Sequence, residues 1–118
     1  MKNNKTSKKE NLRTRRRART RARIHGTALL PRLAVFRSNR FIYGQLIDDD
    51  KRVTLAAASD MGRKEKTKIT RSRGAGKALA EAAKEKKIYK VVFDRGGFRY
   101  AGRISSFAEG AREGGLVF

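Results

Sequence analysis

The chain has 118 residues and a formal charge of +20, from 31 Lys+Arg against 11 Asp+Glu, which allows one domain with a modest core and makes a polyanionic partner the first expectation. The absence of Cys and the presence of a single histidine, His25, exclude thiol catalysis, disulfides and metal sites built on thiolates or His clusters. No apolar run approaches a membrane span, and nothing behind the basic N-terminus reads as a secretory signal or, for want of an apolar face, as a transit peptide.

Residues 1–25 form a basic arm. Eleven basic side chains stand against Glu10, for a net +10. The apolar content of this arm is too small to bury anything, so alone it should be disordered. Wound as a helix, Arg13, Arg15, Arg16, Arg17, Arg19, Arg21 and Arg23 would cover about two-thirds of the circumference. Only a partner that surrounds the helix, such as folded RNA, matches that geometry, and the planar guanidinium suits phosphate and stacked bases better than lysine does. The bland reading is a solvated tail. His25 has no evident part in either reading.

Residues 26–118 read as one α/β domain. Leu33–Phe36 and Phe41–Ile47 are strands joined by Arg37-Ser38-Asn39-Arg40, a polar hairpin turn. Asp48 to Arg52 makes a second turn and Val53 to Ser59 a third strand, completing an antiparallel meander. The first turn carries Arg37, Ser38 and Arg40 close to Tyr43, a candidate RNA contact whose alternative is simple solubility. A helix is expected from about Thr70 to Lys87, with Ala75, Leu79, Ala82 and Ala83 on one face. Gly74 and Gly76 would let it lie close to the sheet. Gly74-Ala75-Gly76-Lys77 resembles a nucleotide loop, but Arg71, Ala78 and Leu79 stand where the phosphate-loop and dinucleotide patterns need other residues, so no cofactor or small-molecule substrate is expected.

Val91-Val92-Phe93 is a fourth, short strand, ended by Asp94 and followed by Arg95-Gly96-Gly97-Phe98-Arg99-Tyr100-Ala101-Gly102-Arg103. Gly96-Gly97 supplies backbone freedom near a turn with φ > 0. Aromatics interleaved with arginines suit nucleic acid, so Arg95, Tyr100 and Arg103 are candidate RNA contacts. Phe98 and Tyr100 could equally fill core. Ile104, Phe107, Ala108 and Ala111 mark a last helix, after which Leu116-Val117-Phe118 should fold back. A helical crossover puts the fourth strand parallel to and beside the first. The expected fold is therefore a mixed four-stranded sheet, order 3-2-1-4, with two packed helices and the basic N-terminal arm.

These residues resemble the ribosomal protein family numbered eighteen in the bacterial large-subunit series. The likeness runs through the Arg-rich arm, Gly26-Thr27, Pro31-Arg32-Leu33, Arg37-Ser38, Ile42-Tyr43 and Gln45. It continues in Val92-Phe93-Asp94-Arg95-Gly96-Gly97, Tyr100, Gly102-Arg103, Ala111-Arg112-Glu113, Gly115-Leu116 and terminal Phe118. The sequence departs from the family pattern at Phe41 and Ala101, where histidine is usual, and at Gly44, where alanine is common. The resemblance implies a ribonuclease-H-like topology without catalysis, residence in the cytoplasmic 50S subunit, and attachment of 5S rRNA to 23S rRNA beside neighbouring ribosomal proteins. Two other classes compete. A two-metal nuclease would use Asp48, Asp94 and Glu109, although Arg95 should neutralise Asp94. A basic-region DNA regulator would continue into a leucine heptad, which Gly26 and Pro31 interrupt.

Overall fold

Helix α1 (Asn4–Arg21) precedes a folded body whose elements run β1 (Arg32–Arg37), β2 (Ile42–Asp48), β3 (Val53–Ser59), α2 (Lys68–Glu85), β4 (Val92–Asp94) and α3 (Gly102–Glu113). The structure is a computed structural model. It describes residues 4–21 and 23–118, and within α1 the side chains of 11–19 only. Among these residues, no helix is long and apolar enough to cross a membrane.

The three-stranded meander forms as its alternating residues require. β1 pairs antiparallel with β2, placing Phe36 opposite Tyr43 and Ala34 opposite Gln45. β2 pairs antiparallel with β3 through an irregularity at Leu46/Ile47. β4 lies parallel to β1, with Arg32 opposite Val92, so the sheet order is the expected β3-β2-β1-β4. Leu33, Val35, Ile42 and Leu46 turn to one face and are fully buried against Leu79, Ala83, Ile104 and Phe107. Both α2 and α3 thus cover the same face. Each such side chain contributes about 1.5–3 kcal/mol by leaving water.

α2 begins earlier than its apolar spacing suggests. The Thr67 hydroxyl accepts the Thr70 backbone N–H at 3.1 Å, the Thr70 side chain answers at the cap backbone, and the helix starts at Lys68. It stops before Lys87, which adopts φ +60°. The role expected for Gly74 and Gly76 needs correcting. A side chain at Gly76 would collide with the Phe107 carbonyl and with Ala111 N, and one at Gly110 with the Arg73 carbonyl. The space at Gly76 therefore lets α2 cross α3 at close range rather than approach the sheet, while Gly74 faces the Arg63 guanidinium. Across the outside of this crossing, Arg73 reaches Glu113 at 2.5 Å and Lys77 reaches Glu113 at 3.1 Å. These cations hold the exposed Glu113 carboxyl below the usual carboxylate range, the Lys77 hydrogen bond being the larger cause.

The C-terminus folds back as expected. Leu116 is buried, Val117 N donates to Tyr89 O at 2.8 Å, and Phe118 stacks on Phe93 with centroids 5.2 Å apart.

Gly44 also faces the helices, and a Cβ there would overlap the ring tip of the fully buried Phe107. Gly44→Ala is therefore expected to destabilise the domain by about 1–3 kcal/mol through overpacking. Urea unfolding should show this, with partial recovery in Gly44→Ala/Phe107→Leu. An unchanged midpoint in the single variant would mean that the ring yields without cost.

Candidate nucleic-acid interface

The sheet face opposite α2 and α3 is organised by Arg32. Its Nε and Nη2 donate to the two oxygens of Asp49, each at 3.0 Å, and its Nη1 donates to Asp94 Oδ2 at 2.8 Å. Asp49 Oδ2 also accepts the Gly26 N–H at 2.7 Å, and Asp94 Oδ1 accepts the Gly96 N–H at 2.9 Å. One guanidinium thus ties the start of β1 to the β2–β3 turn, the end of β4, the glycine loop and the root of the arm. Arg32 is only 5% exposed. The Asp49 hydrogen bonds raise its pKa above the ordinary arginine value despite the opposing cost of burial.

The glycine loop takes the expected backbone, with φ +65° at Gly96 and +81° at Gly97. Gly97 has a second reason to lack a side chain. A Cβ there would come within 2.7 Å of Arg13 O and 3.3 Å of Arg17 N, because α1 crosses the loop at this point. Phe98 is a core residue, 8% exposed. Above its ring lie two guanidiniums, Arg13 at 5.2 Å and Arg37 at 5.7 Å from the centroid. Each such contact is worth about 0.5–1 kcal/mol at a partly exposed site. Phe98 also meets Phe36 edge-on at 5.8 Å, and Phe36 continues to Tyr43 at 6.4 Å. Arm, hairpin and glycine loop, far apart in the chain, therefore meet around one ring.

The remaining expected contacts divide. Arg15, Arg16, Arg17, Arg19, Arg23, Arg40 and Arg95 have exposed side chains, and Tyr43 is half-buried. The Arg21 side chain lies outside the described residues. The Ser38 hydroxyl closes the hairpin, accepting the Phe41 N–H and bonding the Phe41 carbonyl, each at 3.2 Å. Arg103 turns inward, its Nη2 donating to Ser38 O at 3.2 Å. Burial, reinforced by the charge of Arg37, lowers its pKa. Tyr100 is exposed but sits in another cluster, edge-on to Phe93 at 5.9 Å and accepting from Arg112 Nη1 at 3.2 Å.

The carboxylates weighed for a nuclease are dispersed. Asp48 Oδ1 accepts backbone N–H groups of its own turn, Asp94 is taken by Arg32 and Gly96, and Glu109 lies on the outside of α3 beside Arg73. The cation that neutralises Asp94 is Arg32, not the exposed Arg95. Among the described residues no group of three or more His, Cys, Asp or Glu could hold a metal ion.

Sequence reasoning passed over Phe36, Gln45 and Arg32 as parts of this face. Strict alternation would have found the first two. With Leu33 and Val35 inward, Phe36 is an aromatic on the outward side, and Gln45 shares that side with Tyr43. Nothing local marks Arg32, whose partners lie 17 and 62 residues away.

Comparison with known proteins identifies the family of the chain. Residues 7–118 match the model of the family described as ribosomal L18 of archaea, bacteria, mitochondria and chloroplasts. The chain is 53% identical over 113 residues to the large ribosomal subunit protein uL18 of Lactobacillus delbrueckii subsp. bulgaricus, covering 93% of this chain and 95% of that protein. It is 54% identical over 112 residues to that of Limosilactobacillus reuteri, with the same coverage of 93% and 95%. With that of Clostridium botulinum it shares 54% identity over 109 residues, covering 90% of this chain and 92% of that one.

Proposed function

This chain belongs to the ribosomal L18 family and is a structural constituent of the cytoplasmic large ribosomal subunit; from that premise we propose that it binds 5S rRNA and helps attach it to 23S rRNA. The family is structural rather than enzymatic. The observation that carries the proposal is the convergence on Phe98. Arg13 from the arm and Arg37 from the hairpin lie over a ring that belongs to the glycine loop. Each of these three stretches is basic by sequence, and together they make one continuous cationic face beside an uncovered sheet. Phosphates would be met by Arg15, Arg16, Arg17, Arg19, Arg21 and Arg23 along the arm, and by Arg37, Arg40 and Arg95 around the sheet end. Tyr43 and Tyr100 would offer rings to bases. Ser38 and Arg103 hold the hairpin tip in place for this contact, the Ser38 hydroxyl through Phe41 and Arg103 Nη2 through Ser38 O. Neighbouring ribosomal proteins complete the set of proposed partners.

The test is competition of 5S rRNA against tRNA and duplex DNA at fixed, stated salt, using the wild type, Arg95→Ala, Tyr100→Ala and Arg103→Ala. Preference for 5S rRNA is expected in the wild type. Arg95→Ala should weaken affinity by about 1–3 kcal/mol with an unchanged melting temperature. Arg103→Ala should lower the melting temperature, because it releases Ser38 O and the hairpin. Equal affinity of the wild type for all three nucleic acids would remove the 5S assignment. Unchanged affinity in all three folded variants would remove the glycine loop from the site.

A further inference from the structure

We infer that the cleft between α1 and the uncovered face of the sheet receives a single unstacked nucleobase of the bound rRNA, with the adjoining rings of Phe36 and Tyr43 as its stacking platform and Gln45 as the group that meets its edge. The inference rests on the RNA-binding reading above and deepens it from a cationic face to a base-sized site.

The cleft encloses about 340 Å³ and is lined by Arg17, Ala34, Phe36, Tyr43, Gln45 and Gly96, with Arg32 and Asp94 behind them. Its chemistry is uneven in a telling way. Phe36 leaves 47% of its surface in water. Tyr43 lies directly opposite it on the same face, so the two rings form one partly open aromatic patch that a planar ligand would cover. The rings are also braced. Phe36 has the edge of Phe98 behind it at 5.8 Å, and Tyr43 has Phe41 at 6.5 Å. Braced rings lose little entropy on stacking.

The other linings complete a nucleotide. Ala34, directly opposite Gln45 across the β1–β2 pair, keeps the floor low. The Gln45 amide offers both a donor and an acceptor, as a base edge requires. Arg17 stands on the rim, where a backbone phosphate would follow the base. Asp94 does not repel that phosphate as a bare anion, because its two oxygens are occupied by Arg32 and Gly96. Gly96 presents no side chain, so a sugar can approach the backbone. A paired A-form helix cannot use this site, since its base faces are stacked inside the duplex. Only a base in a loop, bulge or end can be swung into it.

The experiment titrates full-length Phe36→Leu, Tyr43→Leu and Gln45→Ala against 5S rRNA, a 23S rRNA transcript and a fully paired RNA duplex at one salt concentration, with melting temperatures alongside. Phe36→Leu and Tyr43→Leu should weaken binding about 5- to 150-fold, the loss of one stacked base. That loss should fall on whichever rRNA supplies the base, and duplex affinity should be unchanged. Gln45→Ala should weaken the same RNA less. Folded variants that bind all three RNAs as the wild type does, or that lose duplex affinity equally, would overturn the base site while leaving the RNA-binding reading in place. A wild type that binds neither rRNA better than the duplex would overturn that reading, and the base site with it.

Discussion

Replacing Arg32 with methionine is expected to lower the unfolding free energy by about 3–5 kcal/mol, the usual cost of breaking a buried ion pair on one side. The substitution keeps the apolar stem but leaves Asp94 nearly buried without its cation and removes two charge-assisted bonds from Asp49. In a domain of this size the melting temperature should fall by on the order of 10–30 °C. The cost arises from uncompensated charge rather than from weakened packing, which a second variant separates. Arg32→Met combined with Asp49→Asn and Asp94→Asn removes the carboxylates and should recover much of the loss. Thermal melts of the two variants decide the matter. Equal destabilisation in both would point to packing of the arginine stem as the main term. RNA affinity should also fall in Arg32→Met, because Asp94 positions the Gly96 N–H and Asp49 holds Gly26 at the root of the arm.

Deletion of residues 1–23 is expected to have the largest effect on binding. It removes all eleven basic side chains of the arm together with Glu10, leaving 20 basic against 10 acidic residues in the rest of the chain. For every phosphate that the arm no longer neutralises, the slope of log affinity against log salt should shrink in magnitude by order one. The truncated domain should keep its preference among RNAs, because Arg37, Arg40, Tyr43 and Arg95 remain. Unaltered slope after truncation would mean that the arm is not the phosphate-binding element. The same logic bears on the arm by itself. Arg15, Arg16, Arg17 and Arg19 are all exposed along α1, and a helix this charged has little apolar burial to offset its ordering entropy. We propose that RNA is what holds the helix. Trypsin should cut within residues 13–23 in free protein and be blocked when 5S rRNA is bound, and resistance in both states would contradict this.

Much of the fold was legible in the sequence because it depends on local spacing. Alternation in Leu33–Phe36 and Ile42–Ile47 dictates which residues share a sheet face. The i, i+3, i+4, i+7 stripe Ile104, Phe107, Ala108, Ala111 dictates the buried side of α3, and a helical crossover makes β4 parallel to β1. The charge of the arm, and its concentration in arginine, likewise point to a polyanionic partner from the sequence alone. Tertiary structure alone decided which distant groups meet. Arg32 could have been one more surface cation, and it became the buried staple of Asp49 and Asp94 because β1 sits between the β2–β3 turn and β4. Gly76 and Gly110 mark a helix crossing that neither helix announces by itself. Arg103 and Arg95 look alike eight positions apart, yet one is drawn inward by Ser38 O and the other remains exposed. The physical reason is common to all these cases. Periodicity encodes the direction of a side chain relative to its own element, whereas partner, burial and charge state depend on how elements stack, and that is set by packing across the whole chain.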